Sequence, residues 1–114
     1  MSTCKFCKIA AGEIPSAIVY QDEDIVAFRD INPQAPTHIQ IITRRHIPTV
    51  QDLADEDSAL IAKMVLSANR LADEEFIAPK GYRLVFNCRV DGGQEIYHLH
   101  LHLLGGRRMT WPPG

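Results

Sequence analysis

The stretch Tyr97-His98-Leu99-His100-Leu101-His102-Leu103-Leu104 constrains this chain more than any other. A strand sends successive side chains to opposite faces. Leu99, Leu101 and Leu103 are therefore expected on a core face, with His98, His100 and His102 together on the other. Three of the chain's five histidines lie in this one segment. A half-buried strand can carry an outward histidine by chance, but three in strict register point to shared chemistry. One metal ion held by all three is awkward. Cα atoms two apart on a strand are ~6.6 Å apart and those four apart ~13 Å. Adjacent rings can share an ion, so the three histidines are expected to divide their duties.

The rest of the chain supplies the frame for such a strand. Thr3 is placed to cap a short helix from Cys4 to about Ala11, with Gly12 as its stop. Ala17 to Gln21 and Ile25 to Arg29 read as a hairpin turned by Asp22-Glu23-Asp24. Asn32-Pro33-Gln34-Ala35-Pro36 is a loop, and Thr37 to Thr43 a third strand. From about Asp55 to Asp73, Leu60, Ile61, Met64, Val65, Ala68, Leu71 and Ala72 share one face at helical spacing. Asp55, Glu56 and Asp57 suit the positive end of that helix. Pro79 and Gly81 close the helical region. Tyr82 to Asn87 is a fourth strand, Asp91-Gly92-Gly93 a turn, and Tyr97 to Leu104 the fifth strand, ended by Gly105-Gly106. The expected class is α+β: a mainly antiparallel five-stranded sheet with one long helix and a short N-terminal one.

A chain of 114 residues, 46% hydrophobic, suits one domain with a single core, here 1–114 with a tail from about 106. Its net charge of −2 leaves no basic stripe for a nucleic-acid backbone. No targeting signal or membrane span is visible, so the expectation is a cytoplasmic protein without nucleic-acid or membrane partners.

A neutral imidazole is a competent nucleophile toward phosphorus, and His100 has a reference pKa of ~6.5. His102 could bind phosphate oxygens beside it. Asp91-Gly92-Gly93-Gln94 lets backbone N–H groups approach a phosphate, and Asn87 could add an amide donor. A Gly-Gly turn is a plain hairpin more often than an anion site, but this one leads directly into the histidine strand.

These residues resemble the histidine triad (HIT) family, whose signature stands here as His98-Leu99-His100-Leu101-His102-Leu103-Leu104. The resemblance extends to Ile14-Pro15, to Asp30 through His38, to Asp91-Gly92-Gly93-Gln94 and to Gly105-Gly106-Arg107. The ending Met109-Thr110-Trp111-Pro112-Pro113-Gly114 is similar to that of the Hint branch. The resemblance implies a homodimer that hydrolyses purine nucleoside phosphoramidates, with an AMP- or GMP-like ligand. It assigns the attack to His100, with a covalent nucleotidyl intermediate. His102 and Asn87 would hold phosphate oxygens, with Gly93 and Gln94 on the same side. Asp30 would accept from the ribose hydroxyls, Phe28 and Ile31 would line the base pocket, and His38 would orient the triad or relay its protons. Glu95 stands where phosphoramidase members usually carry a serine that helps protonate the departing amine. A carboxyl can do so only if burial raises its pKa; otherwise it favours a cationic leaving group.

Cys4-Lys5-Phe6-Cys7 is half of a zinc site. His46 and His98 are the histidines left over for the other half. Two buried cysteines on one helical face, or a redox pair, are the competing readings. A subset of bacterial HIT proteins carries a similar set, and that likeness implies structural zinc on Cys4, Cys7, His46 and His98, pinning the N-terminal helix to the sheet. Cys88 reads as a small apolar residue, and no organic cofactor is implied.

Other functions fit the same residues. A dinucleoside polyphosphate hydrolase or nucleotidyl transferase would use the same nucleophile. A nucleotide-binding scaffold would keep its role after His100→Ala. A zinc hydrolase using the triad as ligands would lose turnover at once on chelation.

Overall fold

The computed structural model describes residues 3–114. Its elements run α1 (Lys5–Ala10), β1 (Ile18–Gln21), β2 (Ile25–Arg29), β3 (Thr37–Thr43), α2 (Ser58–Glu74), β4 (Tyr82–Val85) and β5 (His100–Gly105), with 3-10 turns at Val50–Asp52 and Asp55–Asp57. The strands form one sheet in the order β1-β2-β3-β5-β4, every neighbouring pair antiparallel. The expected architecture is thus present.

The sheet has two different faces. Ile25, Ala27, Ile39, Ile41, Leu101 and Leu103 point to one side, where Met64, Ala68, Leu71 and Ala72 of α2 cover them. Val26, Phe28 and Ile42 point to the other, where Phe6 and Ile9 of α1 pack. His38, Gln40, His100 and His102 share this second side, as the two-residue period of β3 and β5 requires. Leu99, Leu101 and Leu103 are buried as expected.

Several boundaries differ from the expectation. Cys4, not Thr3, caps α1: its Sγ accepts from the Cys7 backbone N–H at 3.4 Å. The acidic run Asp55–Asp57 forms a 3-10 turn rather than the first turn of α2. Asp57 there accepts the Ala54 N–H and pairs with Arg45. The helix stops five residues before Pro79, at Glu74, in a Schellman turn. Ile77 N–H reaches Ala72 O at 3.1 Å, Phe76 N–H reaches Asp73 O at 3.1 Å, and Phe76 takes the left-handed position at φ 60°.

β4 ends at Val85, opposite His102, because the chain then turns away into the 86–99 connection. β5 begins at His100 rather than Tyr97. Ahead of it Leu99 N–H is captured by Ile47 O at 2.6 Å, outside the ladder. That early departure separates His98 from the two histidines that follow.

Candidate active site

His100 and His102 enter the site from β5, and His38 and Gln40 from β3, directly across the ladder. Asp30 follows the end of β2, where its N–H donates to His38 O at 3.0 Å. These residues open onto a cleft of about 580 Å³, a size suited to a small organic ligand. Its apolar walls include Phe6, Ile9, Ile14 and Phe28, with Ile31 at the rim. Asn87, Gly93 and Glu95 line it from the connection ahead of β5.

Hydrogen-bond partners settle which nitrogen of each ring carries the proton. His100 Nδ1 lies 2.7 Å from the His98 carbonyl oxygen, so it is the N–H, and the lone pair is left on Nε2. His38 Nδ1 accepts the Gln34 backbone N–H at 3.0 Å, so its proton sits on Nε2. That proton is donated to His102 Nδ1 at 2.9 Å, which leaves the His102 proton on Nε2. One ring therefore offers a lone pair, and its neighbour, with centroids 5.0 Å apart, offers an N–H.

Burial keeps these rings uncharged. It pushes the pKa of His38 and of His100 below the ordinary imidazole value, against the opposing pull of Asp30 and, for His100, of its bond to the His98 carbonyl. His102 falls to about 4, through burial first and then the charges of His100 and His38, with Asp30 opposing. Neutral imidazole is the nucleophilic form, so the site is set for attack at neutral pH without a prior deprotonation.

His98 serves elsewhere. Its Nε2 donates to Thr43 O at 2.6 Å, which turns the Nδ1 lone pair toward α1. There Nδ1 meets Cys4 Sγ at 3.3 Å, Cys7 Sγ at 3.5 Å and His46 Nδ1 at 3.2 Å. His46 Nδ1 in turn lies 3.3 Å from Cys7 Sγ. Four donor atoms thus converge within 4.8 Å of one another, a set that could hold a metal ion. Asp30, His38 and His102 also converge, but there the His38 Nε2 proton already lies between two of the three donors.

All but one of the residues expected at the nucleotide line the cleft: Phe28, Asp30, Ile31, Asn87, Gly93, Glu95, His100 and His102, joined by His38. Gln94 does not line it. Its amide accepts from Arg89 N–H at 2.9 Å and donates to Pro48 O and Ile96 O at 2.8 and 3.0 Å. Those bonds consume the side chain in bracing the loop. Several cleft residues escaped the sequence reading, among them Phe6 and Gln40. Phe6 packs edge-on against His100 with centroids 5.1 Å apart, and Gln40 donates to Asp30 Oδ2 at 2.6 Å. The alternation of β3 that places His38 on the histidine face would also have placed Gln40 there.

Fold and site together define a class: an antiparallel sheet presenting an unprotonated imidazole nitrogen beside an imidazole N–H at the base of a ligand-sized cleft. Residues 3–110 match the family described as the scavenger mRNA decapping enzyme C-terminal binding domain. The purine nucleoside phosphoramidase of Escherichia coli is 55% identical over 102 residues, covering 90% of this chain and 86% of that one. A solved HIT family hydrolase from Legionella pneumophila superposes with a TM-score of 0.97 at 59% identity, covering 98% of this chain and 100% of that chain. A histidine triad protein from Clostridium difficile gives 0.93 at 40% identity, with 96% of each chain covered. This chain belongs to the histidine triad family.

Proposed function

We propose that this protein is a purine nucleoside phosphoramidase that cleaves the P–N bond of AMP-amine-type substrates through a nucleotidyl-histidine intermediate. The observation that carries the reading is the His100 ring, with Nδ1 engaged by the His98 carbonyl and Nε2 free at the cleft. Nε2 attacks the α-phosphorus as the bond to the departing amine breaks and the amine takes a proton from solvent water. The imidazolium so formed keeps its Nδ1–H on the carbonyl, which stabilises the developing charge. Water then attacks the phosphorus, breaks the N–P bond and releases the nucleoside monophosphate. His102 Nε2–H and Asn87 hold phosphate oxygens, Asp30 accepts from the ribose hydroxyls, and Phe28 and Ile31 flank the base. Glu95, on the cleft wall, meets the leaving group and favours a cationic one. The identity to the Escherichia coli phosphoramidase supports the substrate class.

The four-donor cluster holds zinc in this reading. A tetrahedral ion at ~2.0–2.1 Å from nitrogen and ~2.3 Å from sulfur sets donor separations of about 3.3–3.8 Å, close to the 3.2–3.5 Å observed for four of the six pairs. Cys4, Cys7, His46 and His98 would fill all four positions, so zinc supplies a crosslink between α1 and the sheet and no chemistry at phosphorus. The chain acts as a homodimer in the cytoplasm. No helix among the described residues is long and apolar enough to cross a membrane.

Intact-mass measurement tests the mechanism. An adenosine 5′-phosphoramidate mixed with a His102 variant slowed in the second step is expected to leave a nucleotidyl adduct on His100. His100→Ala should lose at least ~10³-fold in turnover and form no adduct. Rapid turnover by that variant would exclude the mechanism.

A further inference from the structure

We propose that Gln40 is a positioning residue for Asp30, and that it sets the preference of the cleft for ribonucleotides. The inference rests on the reading that Asp30 receives the ribose hydroxyls. Gln40 lies on β3 between Phe28 of β2 and His102 of β5, at the level where base and phosphate regions of the cleft meet. Its Nε2 donates to Asp30 Oδ2 at 2.6 Å, while Asn32 N–H donates to Oδ1 at 2.8 Å. The carboxylate is therefore gripped at both oxygens and cannot swing about its side-chain bonds.

The other end of the amide shows what orients it. Gln40 Oε1 is buried and has no hydrogen-bond partner among the described residues. A buried unpaired acceptor is costly. Flipping the amide would turn that oxygen against the Asp30 carboxylate, a repulsive contact with no donor gained. The arrangement with an orphaned carbonyl persists because the bond to Asp30 is charge-assisted and stronger. An apolar side chain of the same size would fill this position with no such penalty, so packing alone does not explain the glutamine.

The bond also shields the one between His38 and His102. Asp30 Oδ2 lies 3.4 Å from His38 Nε2, the atom whose proton is shared with His102. With Gln40 occupying Oδ2, the His38 proton stays directed at His102 Nδ1. Without it, the carboxylate is free to rotate toward His38 and away from the sugar.

The test compares kcat/KM for adenosine 5′-phosphoramidate and its 2′,3′-dideoxy analogue in Gln40→Leu, Asp30→Ala and the double variant. Gln40→Leu is expected to cut the ribo-over-dideoxy ratio about tenfold, the size of one lost charged hydrogen bond, with the change in KM rather than kcat. In the Asp30→Ala background the same substitution should add nothing, because its effect passes through that carboxylate. Gln40→Met, similar in length and volume, carries the comparison if the leucine variant fails to fold. Retention of the ratio by Gln40→Leu or Gln40→Met, with collapse in Asp30→Ala, would overturn the role of Gln40. Retention of the ratio by Asp30→Ala would instead overturn the ribose reading on which it rests.

Discussion

A single imidazole has two nitrogens, and what distinguishes the histidines of this site is which of them is already spent. His98 gives Nε2–H to Thr43 and keeps Nδ1 for the Cys4–Cys7 side; His100 gives Nδ1–H to the backbone and keeps Nε2 for the cleft. The low pKa of His102 has a consequence for stability. Its folded value, about 4, lies below the ~6.5 of an unfolded imidazole. Below pH 6.5 the unfolded chain therefore binds a proton the folded chain refuses. The stabilisation is complete above pH 6.5 and is lost as pH falls through 4. Asp22 adds a second, more acidic step. Burial raises its pKa, but bonds from Asp24 and Ile25 N–H, the Tyr20 hydroxyl and Lys63 outweigh this and hold it at about 2. Its contribution, at most ~2.5 kcal/mol for a shift of this size, is present above pH 3.8 and disappears toward pH 2. Urea titrations across pH should show both slopes. His102→Asn is expected to reduce the first, which His38 and His100 share, and Asp22→Asn to flatten the second. An unchanged profile in either variant would contradict the corresponding assignment.

At the scale of elements, α1 shows how much the cluster is expected to contribute. Six residues are too few for an independently stable helix. Phe6 and Ile9 anchor it through their burial, and Cys4 and Cys7 tie its first turn to His46 and His98. Its Phe6 ring is also the wall against which His100 packs. Chelation of the holoprotein should therefore release one metal ion per chain and lower Tm by about 5 °C for each kcal/mol lost. Amide exchange should speed up first in α1, with β3 and α2 still protected. Uniform loss of protection, or none, would count against a local crosslink. The elements themselves were largely legible. β3 was legible at its observed bounds, and helical spacing gave the core face of α2. What could not be read was where a polar side chain finds its partner. Gln94 and Asn87 look alike in sequence, yet one braces a loop and the other lines the cleft. The late start of β5, which leaves His98 outside it, depends on the bond from Leu99 N–H to Ile47 O, 52 residues away in the chain, which leaves no local mark.

For the whole molecule, assembly turns on one side of the sheet. β4 is an edge strand, and its residues are only half-buried in a single chain. An exposed edge of this kind is a template for pairing with another strand. The tail is fastened to the same edge: Arg83 of β4 donates to Thr110 O at 2.8 Å, and Trp111 beyond it is 84% exposed. A large aromatic left outside its own chain, at the edge where a second copy would dock, is suited to serve the neighbouring site. Sedimentation is expected to give twice the 12.8 kDa chain mass. Mixed dimers separate the two possible roles of the tail. One chain carries His100→Ala with its tail intact, and the other lacks residues 109–114 but keeps its nucleophile. If the tail acts across the interface, the only live site in the mixed dimer has a tail beside it. Such a dimer should then recover about half the parental rate per dimer, as one of two equivalent sites in a two-fold assembly. If the tail acts within its own chain, the live site remains without one, and the mixed dimer will turn over no faster than half the rate of the truncated homodimer.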